Sequence, residues 1–303
     1  MWNPFRKSAP EFIIGKKPHD FDSIAHMDFK YQYLDDMLEY HHELNQCPCT
    51  ADFFFHADPQ CEIYGFLSGD CCFRVEGTKY ILNEPAILIL RQGEAHCIEF
   101  FSQSPYEREV VHFSQEILNE IDPDGFLAEP FFNRPLGQGN LITVEKEKSK
   151  RFWYYMNAMH STSSDRKIQR LTLLANLFPL LWEIRIEYQR LQSSAAAGDT
   201  EDLIGNIVKY INSHLHELLT VEQIAKAFYL SRSQLNRLFH KRIGSSVYQY
   251  IQLKRLIEAR LMLKAGRNPG DVARACGYTD YSCFYKAYRK YFGAAPYGDK
   301  KAP

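Results

Sequence analysis

The sequence predicts an α+β protein: an N-terminal β-barrel carrying a helical hairpin, followed by an all-α C-terminal domain. Three observations point there. Between Asp52 and Phe113 the apolar residues fall in short runs broken by turn signals, the pattern of a barrel or sandwich. After Val144 their spacing lengthens to the helical three and four. Charge then changes sign: residues 200–303 hold 17 Lys and Arg against 8 Asp and Glu, a net of +9, whereas residues 1–199 hold 19 against 29, a net of −10.

A chain of 303 residues has room for about two domains. With 45% hydrophobic and 24% charged residues it is ordinary globular protein, which excludes disordered and collagenous classes. The longest apolar run, Pro85 to Leu90, falls far short of the ~20 residues of a membrane helix. No membrane partner is expected. Met1 to Lys17 lacks the apolar stretch of a signal peptide, so a cytoplasmic location with eight reduced cysteines is expected.

In chain order, Met1–Cys49 is barely legible, and Leu34–Leu44 reads either as a short helix or as an edge strand. FFFHAD, CEIYGFL, CCFRVEG, TKYIL, AILIL, HCIEFF and REVVHF are strand candidates, separated by Pro59, Ser68-Gly69-Asp70, Gly77, Asn83-Glu84-Pro85, Gly93 and Ser104-Pro105. Residues 1–143 are thus assigned to the barrel, with 1–50 the least defined part. Helices are predicted over Glu145–His160 and Arg166–Leu191, with STSSD as turn and cap and Pro179 as a kink. This hairpin, residues 144–191, either pairs two subunits or packs on the barrel, and one helix has sides enough for both. QSSAAAGD, residues 192–199, reads as a linker or as a frayed helix end.

Residues 200–303 contain an internal repeat. Ile224-Ala225 matches Val272-Ala273, 48 residues on, and Leu235, Phe239, Lys241 and Gly244 match Phe284, Tyr288, Lys290 and Gly293, 49 residues on. Each copy has the parts of a helix-turn-helix. Ala225 or Ala273 lets two helices cross closely, and Ser231 or Asp280 caps the second helix. Apolar residues four apart bury it. Gly277 suits a left-handed turn, whereas Tyr229 holds the equivalent place in the first copy and leaves that turn less well explained. Ser246 to Ala265 reads as a helix of roughly 28 Å between the copies, against roughly 34 Å for one turn of B-DNA. Tandem readers on a rigid spacer, in a segment of net positive charge, point to a nucleic acid.

IAKAFYLSRSQLNRLFHKRIG and VARACGYTDYSCFYKAYRKYFGAAP resemble the two motifs of the AraC/XylS-type regulator DNA-binding domain. The resemblance implies a seven-helix double helix-turn-helix domain that contacts double-stranded DNA. By position, Ser233, Asn236 and Arg237 of the first motif and Tyr281, Ser282, Cys283 and Lys286 of the second would face bases. Arg232, His240, Lys241, Arg289 and Lys290 would hold phosphates, the alternative being a solvated helix face. After Pro296 the family's usual Tyr-Arg gives way to Gly298-Asp299-Lys300, which predicts a short or frayed last helix.

The β-rich segment resembles the cupin-like sensor barrel of the same family. His56, Asp58, Glu62 and Gly69 fall on one cupin motif, and Gly93-Glu94-Ala95-His96 on the other. Asp58 stands where a second His is usual, and Arg91 where a proline is usual. His56, Glu62 and His96 remain as metal-type donors. The expected occupant is nonetheless a small organic effector, with no metal or cofactor. His56, Glu62, Tyr64, Arg74 and His96 would offer it hydrogen bonds, and Phe54 or Phe66 a wall. The alternative for His56 and His96 is a structural hydrogen-bonded pair. The resemblance implies a sugar as the commonest ligand. Cys47-Pro48-Cys49 beside His41-His42 lacks the spacing of a metal site, so buried free thiols are the default reading of the cysteines.

Together these readings give a ligand-responsive, sequence-specific transcription regulator, not an enzyme. It would act as a homodimer, with a lean towards activation and RNA polymerase as a further partner. The alternatives are a metal-dependent cupin enzyme fused to a DNA-binding domain, and a constitutive DNA-binding protein with an empty barrel.

Overall fold

A computed structural model describes residues 27–50, 53, 55–142, 146–194 and 203–299. Strands β1 (Met27–Leu34), β2 (Leu38–Asn45), β3 (Cys61–Ser68), β4 (Cys71–Val75), β5 (Thr78–Leu82), β6 (Ala86–Leu90), β7 (His96–Phe100), β8 (Tyr106–Phe113) and β9 (Leu141–Ile142) form two sheets. One has the order β1-β2-β8-β3-β6-β9 and the other β5-β4-β7. Short helices α1 (Gln115–Ile121) and α2 (Glu129–Phe132) follow β8; neither they nor β9 were expected.

Leu34–Leu44 is neither helix nor edge strand. It turns a hairpin, and β2 sits inside the sheet between β1 and β8. The Asp35 carboxylate makes that turn by accepting from the backbone N–H of Met37 and of Leu38, each at 2.8 Å. FFFHAD forms no strand among the described residues; only His56 bridges His96, and Phe54 lies outside them. The other strand candidates fall on β3 to β8.

Helices α3 (Lys146–Ala158) and α4 (Arg166–Ser194) form the expected hairpin. Phe152, Met156, Leu173, Leu177, Leu181 and Ile184 share one core with Tyr40, Ile63, Val111 and Phe113 of the larger sheet. Full burial of such a side chain contributes about 1.5–3 kcal/mol. Gly65 makes the close approach possible: a Cβ there would lie 3.1 Å from Met156 and 3.2 Å from Trp153. α4 runs through Pro179 and takes in Gln192–Ser194, so these are helix rather than linker; residues 195–199 of the expected linker lie outside the described part.

The C-terminal part is helical: α5 (Leu203–Ser213), α6 (Val221–Ala227), α7 (Arg232–Ile243), α8 (Val247–Lys264), α9 (Pro269–Ala275) and α10 (Tyr281–Phe292). Ser231 and Ser246 cap α7 and α8 through boxes with Gln234 and Gln249, and Asp280 accepts from Ser282 and Cys283 at the start of α10. Gly244 and Gly293 end the recognition helices with φ of 92° and 70°. Residues 296–298 form a turn; residues 300–303, over which the short or frayed last helix implied by the resemblance would continue, lie outside the described part.

Barrel and helices share a core. Phe55, Ala57 and Ala95 belong to the cluster built by Ile204, Phe239, Tyr250 and Ile257. The β4–β5 turn enters it: Glu76, with φ of 48°, accepts from Ala95 N–H at 2.8 Å, Tyr250 OH at 2.5 Å and Lys254 Nζ at 2.9 Å. A left-handed Glu costs of order 1–3 kcal/mol and persists only where its surroundings enforce it. Three buried donors on its carboxylate do that here.

Candidate effector site and nucleic-acid interface

Strand alternation sends one face of β2, β8 and β3 into the barrel and the other towards α3 and α4. In register, Glu39 faces His112, and His112 faces Glu62. His112 therefore stands between two carboxylates: Nδ1 is 3.9 Å from Glu39 and Nε2 is 3.8 Å from Glu62. The 53–60 segment adds His56 and Asp58, and the start of β7 adds His96. The His56 and His96 rings are 4.2 Å apart, and His96 Nε2 is 3.4 Å from Glu62. Further in, Arg108 donates to Glu43 through Nε at 3.0 Å and Nη2 at 2.8 Å, and Tyr64 packs on Phe73. The opposite interior wall, Phe66, Phe73, Leu88 and Ile98, is apolar.

Burial decides the charge states. It pushes Glu62 well above the usual carboxylate range, and the Asp58 charge adds to this. Burial, then the neighbouring His56, pulls His96 down to about 3, so His96 is neutral and can accept. Burial also opposes the charge on Glu43, but Arg108 outweighs it and holds that carboxyl below its ordinary value. The polar end thus offers acceptors on Glu39, Asp58 and the imidazoles. Three groups, Glu39 with His41 and His112, His56 with Asp58 and His96, and Asp58 with Glu62 and His112, also have donor atoms close enough to hold a metal ion. Glu39, Asp58 and His112 open onto a cleft of about 980 Å³ whose far wall is Arg260, Lys264, Tyr291 and Asp299. Tyr291 OH closes part of it by bonding to the Ala57 carbonyl at 3.3 Å.

In the helical domain the two recognition helices each keep an open face. Arg232, Ser233, Arg237 and Lys241 on α7 are exposed, and Asn236 is half-buried. On α10, Tyr281, Ser282, Cys283, Lys286 and Arg289 are exposed. Arg232 is held by Glu222 of α6 at 2.7 Å. Leu235, Phe239, Phe284 and Tyr288 are fully buried beneath them.

A family model of an AraC-like ligand binding domain matches residues 44–181, and one of a helix-turn-helix domain matches residues 224–301. The chain belongs to the AraC family of regulators. Among curated relatives, HTH-type transcriptional regulator GbdR of Pseudomonas aeruginosa is 32% identical over 116 residues, 38% of this chain and 32% of that one. The Msm operon regulatory protein of Streptococcus mutans is 28% identical over 133 residues, 43% of this chain and 47% of its own. The lactose operon transcription activator of Staphylococcus xylosus is 28% identical over 123 residues, 40% and 44% of the two chains. The chain thus spans less than half the length of these relatives. The structure of ToxT from Vibrio cholerae aligns over 87% of this chain and 97% of that chain at 14% identity, with a TM-score of 0.36.

Within this AraC-family chain, the sequence-derived effector residues divide. His56, Glu62 and His96 come together at the polar end. Tyr64 lies one rung deeper, its buried hydroxyl without a hydrogen-bond partner. Arg74 does not face the interior. Phe73 takes the inward position on β4, so Arg74 points out, where it pairs with Glu99 and donates to the Lys241 carbonyl of α7 at 3.1 Å. Glu39, His41 and His112 were missed, along with Asp58 as a donor. The alternation of Tyr106, Arg108, Val110 and His112 carried the signal for His112; Glu39 and His41 lay in the segment whose strand character was undecided. All eight cysteines are free, and none joins a group of potential metal ligands among the described residues.

Proposed function

We propose that this chain is an effector-responsive, sequence-specific transcription regulator that binds double-stranded DNA through α7 and α10 as a cytoplasmic homodimer. One observation carries the reading: the acceptor-rich end of the barrel opens onto α8 and α10, so an effector seated there touches sensor and DNA-binding elements together. Such a ligand shifts the balance between arrangements by binding them unequally. Acceptors on Glu39, Asp58 and the imidazoles suit a molecule rich in hydroxyl donors, a sugar being the plain example. Likeness to a lactose operon activator favours both a sugar and activation, with RNA polymerase as partner. The homodimer reading is supported by Ile168, Leu171, Trp182 and Ile186, which leave an apolar stripe exposed along α4 while its other side packs on the sheet. No helix among the described residues is long and apolar enough to cross a membrane.

The test is a sugar and polyol panel read by thermal shift and by binding to selected operator DNA. At least one compound should raise the melting midpoint of the wild type and change its DNA affinity, and should do neither in Asp58→Ala. A panel that moves neither quantity supports a constitutive DNA-binding protein instead.

A further inference from the structure

The outward face of β2 and β8 holds a second cluster, separate from the barrel interior. His42 of β2 pairs in register with Glu109 of β8, and both point towards α3. His160, just past the end of α3, closes the cluster from above, its ring centroid 5.2 Å from that of His42. Four buried atoms here have no hydrogen-bond partner within bonding distance: His42 Nδ1, His160 Nε2 and the two oxygens of the Glu109 carboxylate. The three residues converge, with one donor atom from each within 4.8 Å of the others. His42 Nδ1 is 3.6 Å from Glu109 Oε1. Ligands on a tetrahedral zinc ion, at bonds of about 2.0–2.2 Å, sit ~3.4 Å apart.

We propose that His42 Nδ1, Glu109 and His160 Nε2 bind one divalent metal ion, zinc by donor type, which ties the sheet to the helical hairpin. Two imidazoles and one carboxylate form a borderline set that suits zinc better than calcium or magnesium. The surroundings fix the donors. His42 Nε2 bonds to Glu107 at 2.8 Å, which sets the tautomer that leaves Nδ1 free to ligate. Tyr31 stacks on His160 at 5.2 Å with an interplanar angle of 13° and holds its ring in place. The buried Glu109 carboxylate, with the Tyr40 hydroxyl as its neighbour, is costly to keep charged, and a cation offsets that cost. Water completes the coordination. The ion would join strands β2 and β8 to the segment that enters α4, the helix with the exposed apolar stripe.

Full-length protein stripped with chelator and titrated with zinc(II), and in parallel with cobalt(II), tests this. The wild type should take up one tight equivalent of zinc with a rise in melting midpoint, and cobalt should give tetrahedral visible absorption. His42→Asn, Glu109→Gln and His160→Asn should each abolish that equivalent, and Glu107→Gln should weaken it by about 10–100-fold. His96→Asn, which alters only the barrel interior, should retain it. No tight equivalent in the wild type, or one that survives His42→Asn and His160→Asn but is lost in His96→Asn, overturns the proposal. Should a variant not fold, crystals of zinc-loaded wild type decide through a zinc-edge anomalous peak. A peak between His42, Glu109 and His160 supports the site, and a peak elsewhere or none overturns it.

Discussion

Lys254, at the middle of α8, ends 2.9 Å from the Glu76 carboxylate of the β4–β5 turn, and both side chains are buried. The same ammonium donates to the Gly93 carbonyl at 2.5 Å. One lysine therefore fastens two barrel turns to the helix between the two DNA readers.

Removing one partner of a buried pair leaves an uncompensated charge, at a cost of about 3–5 kcal/mol. Lys254→Met should lower unfolding stability by that order in urea denaturation. Glu76→Gln combined with Lys254→Met should recover much of it, since no buried charge then remains. A single variant that loses under about 1 kcal/mol contradicts the pairing.

The two helix-turn-helix turns differ in a way that stability measurements can read. Tyr229 adopts φ of 55° with its side chain 97% exposed, whereas Gly277 adopts φ of 76°. A left-handed non-glycine residue costs roughly 1–2 kcal/mol. Tyr229→Gly should therefore stabilise by up to ~1 kcal/mol, net of the added unfolded-chain entropy. Gly277→Ala should destabilise: beyond the backbone strain, its Cβ would lie 2.7 Å from the Arg255 guanidinium. That guanidinium already donates to the Leu215, Glu217 and Gly277 carbonyls. Equal effects of the two substitutions in thermal melts would contradict this account.

On DNA, Arg237→Ala should relax specificity at one base pair at a cost of ~1–3 kcal/mol. Lys241→Ala should weaken all sequences alike and flatten the salt dependence by about one phosphate contact. Competition binding on selected and random duplexes at several salt concentrations separates the two. Equal losses of Arg237→Ala on both duplexes would argue against base contact.

Acid should act through the barrel. His96 titrates at about 3 in the fold against 6.5 for the free group. Its stabilising contribution is complete above pH 6.5 and is lost as pH falls towards 3, at ~1.4 kcal/mol per unit. Glu62 has the opposite sign: its raised pKa favours the fold as pH falls. His96→Gln should make the acid limb of the stability profile shallower, and Glu62→Gln should make it steeper. Both are read from denaturant midpoints between about pH 3 and pH 6.5, the range spanned by the two His96 values.

The parts of this chain governed by local rules were legible in the sequence. Ser231, Ser246 and Asp280 announce their helices by capping chemistry, and Leu235 with Phe239 or Phe284 with Tyr288 announce the buried faces. The strands β3 to β8 stand out by β-branched and aromatic content between turn residues. The hairpin of β1 and β2 did not, because YLDDMLEYHHEL mixes charged and apolar residues on both faces. Each face of β2 proves to be buried, one in the barrel and one beneath α3, so no polar alternation marks it. The same double burial hid Glu39, His41 and His42 as site residues. Arg74 was misplaced for want of register: one residue along a strand reverses the side it faces.

The sensor is tied to the shaft common to both readers through Glu76 and Lys254. It is also tied to each reader separately, through Arg74 to the Lys241 carbonyl of α7 and through the Ala57 carbonyl to Tyr291 of α10. A rearrangement of the barrel therefore has three points of leverage on the helical domain, one on the axle and one on each arm.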